Sequence, residues 1–143
     1  MTAGYGDGPD IISSCTLNAD KGEIVAILGP NGAGKSTVMK SLLGLLNLKS
    51  GNVKIDGEDI SKFSPQDRVR KGISFVPQTK NVFSELTVKE NLEIGAFLRD
   101  KNIENVIKEI FELFPVLFDK KNQVVGELSG GQRQQVALGR ALM

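Results

Sequence analysis

The stretch GPNGAGKST, from Gly29 to Thr37, constrains the fold of this 143-residue chain more than any other. Gly29, Gly34, Lys35 and Ser36 meet the spacing G-x-x-x-x-G-K-[ST]. Glycines at these points let backbone N–H groups approach phosphate oxygens, and a helix that starts there adds partial positive charge. The motif has force only between a strand and a helix, and the flanking sequence predicts both. Ile24-Val25-Ala26-Ile27-Leu28 is a short continuous apolar run between Gly22 and Gly29, the pattern of a strand buried on both faces and paired in parallel. Behind the loop, Val38, Met39, Leu42, Leu43 and Leu46 recur at helical spacing, which predicts a helix from near Lys35 to about Asn47. Within the loop, Lys35 can bridge β- and γ-phosphates, the Ser36 hydroxyl can ligate Mg²⁺, and Thr37 adds a hydroxyl toward the α-phosphate. This loop does not separate a GTPase from a kinase or an ATPase.

Beyond it, Val53 and Ile55 alternate with polar neighbours before Asp56-Gly57, a hairpin signature that resumes near Ile60. Ser64-Pro65 combines an N-cap with proline at the first helical position, and that helix should end before Gly72. Ile73 to Val76 reads as a second buried strand. Thr87 to Glu90 is a capping box opening a helix through Phe97, and Val106, Ile107, Ile110, Phe111 and Phe114 give an amphipathic helix ending at Pro115. Their apolar stripes are core. The chain is therefore α/β in its first part, residues 1–85, with a helical part over residues 86–143.

Composition narrows the chemistry. Basic and acidic residues number 18 and 17, so no net field draws nucleic acid or an acidic membrane. The longest apolar run, Ile24 to Leu28, is far short of a membrane span, and the start MTAGYGDGPD has no signal-peptide pattern; the expectation is a cytoplasmic protein. With no histidine and one cysteine, Cys15, a zinc cluster, a Ser-His-Asp triad and an internal disulfide are excluded.

A second glycine motif lies in Ser129-Gly130-Gly131-Gln132. Ser129 and Gln132 form a capping box, yet two glycines in a first helical turn each cost ~1 kcal/mol against alanine. Bare backbone there offers N–H groups and a hydroxyl to an anion, so this is a second candidate phosphate-binding surface.

Taken together, GPNGAGKST, FVPQ with Gln78, and LSGGQ from Leu128 to Gln132 resemble, in order and spacing, the ATP-binding subunits of ABC transporters. AGYG near the start, NVFSELTVKENLEIGAF and ALGRALM look most like the subfamily serving branched-chain amino acid uptake. The resemblance implies a P-loop NTPase of ABC type, with a parallel core sheet, an N-terminal antiparallel β part and a helical subdomain. It implies that Gly29, Pro30, Asn31, Gly32, Ala33, Gly34, Lys35, Ser36 and Thr37 hold ATP, that Tyr5 stacks on adenine, and that Gln78 joins Ser36 at Mg²⁺ and senses the γ-phosphate. Lys35 and Gln78 would be its catalytic residues. Ser129, Gly130, Gly131 and Gln132 would close in trans over ATP held by a second ATP-binding subunit, identical or paralogous. The helical part resembles the surface that docks on transporter membrane subunits, which implies a place on the inner face of the cell membrane.

Every match lies in the front portion of such a domain. The strand ending in Asp-Glu, with the general-base glutamate, and the later switch histidine have no counterpart here. The expectation is an incomplete domain over residues 1–143, inactive alone, marginally stable or self-associating because the strand at Ile24 to Leu28 lacks neighbours. Three functions fit: an ATPase powering an importer of branched-chain or related amino acids, a soluble ABC protein of translation or DNA maintenance, and a nucleotide-binding fragment without catalysis. The short separation of Gln78 from Leu128 favours the first over DNA maintenance, whose members carry long insertions there.

Overall fold

Ala3, fully buried, is the centre of the first part of the fold in the computed structural model, which describes residues 1–6, 8–99 and 101–143. It lies on β1 (Thr2–Gly4), the middle strand of an antiparallel sheet flanked by β2 (Asp10–Ile12) and β3 (Leu48–Ser50). Ala3 pairs with Ile12 on one side and Leu48 on the other. The helix α1 (Lys35–Leu42) packs Val38 against Ala3 and Ile12, with Met1, Cys15, Leu42 and Leu48 closing a small core. Contacts divide the described residues into two compact units, Met1–Ile73 and Ser74–Met143.

α1 ends earlier than its apolar periodicity predicts. Gly44 adopts φ +74°, a left-handed conformation that terminates a helix, and a buried side chain holds that end. Arg68 is 2% exposed; its guanidinium donates to the Ser41 carbonyl at 2.9 Å, Leu42 at 2.8 Å, Ser61 at 2.6 Å and Phe63 at 3.3 Å. Four carbonyls thus solvate one buried cation, and the last turn of α1 gains the donors it lacks. Arg68 comes from α2 (Pro65–Arg70), which Ser64 caps through the Asp67 N–H, with Pro65 at the first position as expected. The predicted hairpin also forms: β4 (Lys54–Ile55) pairs with β5 (Glu58–Asp59), and Asp56 and Gly57 both take positive φ, 48° and 82°, the geometry of a two-residue turn.

The expected parallel core strand does not form. Ile24–Leu28 joins neither sheet, no backbone hydrogen bond ties it to another segment among the described residues, and Ile24 and Leu28 are 97% and 90% exposed. Ile73–Val76 is likewise unpaired, with Phe75 exposed. Both sheets among the described residues are antiparallel. A strand is made by its neighbours, and the apolar run meets none here.

The second unit is helical: α3 (Val88–Gly95), α4 (Ile103–Leu113), α5 (Pro115–Asp119), a 3₁₀ turn at Val125–Glu127 and α6 (Gly130–Leu142). Val88, Leu92, Ile107, Ile110, Leu117, Val125, Leu128 and Val136 form its core. Glycines let α3 and α6 approach closely, since a Cβ on Gly139 would lie 2.8 Å from Leu92 Cδ2 and one on Gly95 2.6 Å from the Arg140 carbonyl. The capping box at α3 is complete, and the Thr87 hydroxyl, then its N–H, hold the Glu90 carboxyl below its ordinary range. The irregular segment ahead of α3 belongs to this unit because three side chains strap it down. Arg140 donates to the Asn81 carbonyl at 2.7 Å and stacks 4.6 Å over Phe83, Asn81 bonds Gln134, and buried Asn91 accepts from the Phe83 N–H and donates to its carbonyl.

Candidate functional site

The glycine loop runs into α1 through Gly34, the N-cap residue, at φ +87°. No side chain caps this helix end and its first turn carries no acidic residue, whereas α2, α3 and α6 are capped by their own serine or threonine. The result is a set of uncapped N–H groups at the positive end of a helix dipole. Lys35 stands beside them with its ammonium on two neutral acceptors, the Gly29 and Pro30 carbonyls, each at 2.7 Å. Loop, helix end and cation together make a surface with donors, and Lys35 has no ion pair among the described residues. Such a surface suits an oxyanion. Asn31, Gly32, Ala33 and Ser36 are exposed on the same turn. Thr37 is buried, 5% exposed.

Tyr5 is drawn to the same helix. Its hydroxyl accepts from Lys40 at 3.2 Å, with the ammonium 5.5 Å from the ring centre, and the ring stays 47% exposed. The Lys40 hydrogen bond holds the phenol below its ordinary pKa, against desolvation and with help from Thr37. Lys40 was not legible as a partner of Tyr5, because the two lie thirty-five positions apart.

Gln78 belongs to the second unit, exposed on the irregular segment that the Arg140, Gln134 and Asn91 contacts pin from Asn81 onward. Leu128, 3% exposed, anchors the entry to α6. At that helix start Ser129 Oγ accepts from the Gln132 N–H at 3.3 Å and Gln132 Oε1 accepts from the Ser129 N–H at 3.0 Å. The box is neutral where that of α3 is anionic, so it caps the helix without repelling an anion. A Cβ on Gly130 or Gly131 would meet nothing within 4 Å, and neither residue has positive φ. Neither glycine is required by the fold of this chain, unlike Gly95 and Gly139. Arg133 was not singled out from the sequence: it reaches back to the Leu128 carbonyl. The signal was a cation in the first turns of a helix, where the dipole disfavours it unless it finds an acceptor or an anion.

These features meet a family. The model of the ABC transporter family matches residues 12–143. The chain belongs to that family. As an ABC protein it is 40% identical, over its whole length, to a protein of Archaeoglobus fulgidus named probable branched-chain amino acid transport ATP-binding protein LivF, and spans 61% of it. It is 43% identical over 90% of its length to the high-affinity branched-chain amino acid transport ATP-binding protein BraG of Pseudomonas aeruginosa, spanning 55% of that chain. It is 39% identical over 92% of its length to the lipopolysaccharide export system ATP-binding protein LptB of Haemophilus influenzae, spanning 56%. Among solved structures, a nucleotide-free ATP-binding cassette from an ABC transporter superposes with TM-score 0.84 at 32% identity, covering 99% of this chain and 62% of that one. The chain thus spans little more than half the length of the relatives it matches. Its fold is that of an ABC ATPase cassette, including the antiparallel β part.

Proposed function

We propose that this ABC chain is the ATP-binding part of an ATPase that powers a transporter, most closely an importer of branched-chain or related amino acids. The observation that carries the reading is the uncapped, acid-free start of α1 with Lys35 resting on loop carbonyls. Residues 29–37 bind the phosphates of ATP, Lys35 moving from the Gly29 and Pro30 carbonyls to the β- and γ-phosphates, and Tyr5 covers the adenine. Ser36 and Gln78, each taken by itself, bring an exposed neutral hard oxygen of the kind Mg²⁺ takes, and this ion keeps waters and phosphate oxygens as its other ligands. When bound, it neutralises charge on the transferring phosphate. Ser129, Gly130, Gly131 and Gln132 present a neutral helix start to the nucleotide of a second subunit, which explains two glycines that the chain's own packing does not require.

The helical unit leaves Ile94 and Phe97 exposed, Phe97 at 87%, and this supports docking on membrane subunits at the inner face of the cell membrane. No helix among the described residues is long and apolar enough to cross a membrane. The names LivF and BraG support the amino acid reading; LptB supports a second one, export of a lipid-linked solute. The residues described here bind nucleotide without hydrolysing it, since they include neither the Asp-Glu strand nor any histidine. The test is titration with a fluorescent ATP analogue plus Mg²⁺, with phosphate release followed in parallel. Saturable binding lost in Lys35→Ala, without phosphate release, is expected. Binding indifferent to Lys35→Ala removes the phosphate-loop reading, and Lys35-dependent hydrolysis removes the inactive one.

A further inference from the structure

A recess on the helical unit is lined by none of the residues placed in the nucleotide reading. It is a groove of about 280 Å³ between α3, α4 and the α5 end. Ile107 is buried at its base, while Phe111 and Phe118 meet edge to face, centroids 5.6 Å apart at 73°. Phe118 stays 52% exposed, which leaves part of an apolar ring open to a partner.

Three ammonium groups, Lys89, Lys108 and Lys121, rim this floor against one carboxylate, Glu104. Their own chain does little to neutralise them. Lys89 has one long pair with Glu93, 3.5 Å, and Lys108 and Lys121 have no ion pair among the described residues. Lys121 rests instead 4.5 Å above the Phe118 ring, and the Lys89 N–H donates to the Lys121 carbonyl, which brings two like charges onto adjacent backbone. The chain as a whole has a net charge of only +1, so this rim is a local concentration.

We infer that this groove docks an acidic segment of a partner protein, one apolar side chain resting in the recess against Phe111 and Phe118 while flanking carboxylates meet Lys89, Lys108 and Lys121. Charge complementarity selects the acidic segment. Concavity selects a peptide over a lipid surface: a recess of this volume takes one Leu- or Phe-sized side chain, whereas a bilayer presents headgroups to a flat or convex face. The inference is independent of the nucleotide reading, because no residue of the groove lies in the phosphate loop or the α6 start.

The experiment is fluorescence anisotropy of the full chain with a fluorescein-labelled short peptide, Phe-Leu flanked by Glu and Asp. Controls replace the acids by Lys, or Phe-Leu by Gly-Gly; phosphatidylserine vesicles are tested by cosedimentation. Binding at low salt should weaken about tenfold or more in Lys108→Glu/Lys121→Glu and several-fold in Phe118→Ala with helicity retained, and should be unchanged in Lys21→Glu, an exposed cation in the other unit. No binding of the acidic peptide, equal binding of the lysine peptide, or indifference to Lys108→Glu/Lys121→Glu overturns the proposal. Vesicle binding without peptide binding overturns it in favour of a membrane face. Weakening by Lys21→Glu as strong as by the rim substitutions reduces it to bulk charge.

Discussion

Gly131→Ala should stabilise the helix it sits in and harm the function proposed for it. The Cβ meets nothing within 4 Å, and the backbone is not in the left-handed region, so the methyl adds no clash and no strain. What remains is the conformational entropy that glycine forfeits on folding, about 0.5–1 kcal/mol relative to alanine. Amides of α6 that exchange through local opening should therefore exchange about two- to fivefold more slowly by hydrogen-exchange mass spectrometry. Gly139→Ala, on the same helix, is the control of opposite sign. Its Cβ would sit 2.8 Å from Leu92 Cδ2 and 3.0 Å from Ile110 Cγ2, and such overpacking costs about 1–3 kcal/mol. The functional half uses a chimera in which this chain is followed by the C-terminal part of its LivF relative, read by ATP-promoted dimer formation in sedimentation velocity. There, on the proposed function, Gly131→Ala should weaken association, because the methyl would stand where a partner's phosphate is to approach the N–H groups. If Gly131→Ala speeds exchange, the glycine is structural and the reasoning fails at its first step. If it slows exchange but leaves association unchanged, the bare backbone is not kept for a partner's nucleotide.

Two further predictions rest on the first unit. Arg68→Met should destabilise it by about 3 kcal/mol or more, since the carbonyls of Ser41, Leu42 and Ser61 lose a buried charged donor; a thermal midpoint within error of the parent, by circular dichroism, would sink this account of the α1 end. Ile24→Lys/Leu28→Lys should reduce self-association of the 143-residue chain because it charges the most exposed apolar run. Light scattering that rises with concentration equally in parent and variant would show that association arises elsewhere.

Which features could be read from the sequence follows from where their determinants lie. The capping boxes at Thr87 and Ser129, the Ser64-Pro65 start and the Asp56-Gly57 turn were legible because each is decided by residues within three or four positions of one another. The family motifs were legible for the same reason. The stop of α1 was not: Leu46 continues the apolar stripe, and the helix ends sooner because Arg68, distant in sequence, supplies donors at Ser41 and Leu42. Nor could sequence show that Gly130 and Gly131 face open space while Gly95 and Gly139 are wedged between helices, since all four lie in helical segments.

The segment that sequence misjudged bears most directly on the site. Ile24–Leu28 reads as a buried strand because its composition suits one, yet no neighbour pairs with it, and Leu28 is exposed immediately before the loop. The loop is therefore held from one side. Gly34 sits close to Ile11, where a Cβ would lie 3.4 Å from the carbonyl, and α1 is fixed through Val38 and Arg68. The strand side has no comparable tie among the described residues. A triphosphate that gathers N–H groups along residues 29–37 must order that side as it binds, at about 1–2 kcal/mol per backbone residue fixed. Ordering even two or three residues consumes about 2–6 kcal/mol of binding energy, a loss of roughly one and a half to four orders of magnitude in affinity. In this chain the phosphate loop is preorganised at its helix and not at its strand, so nucleotide affinity should rise when Ile24–Leu28 acquires a strand partner.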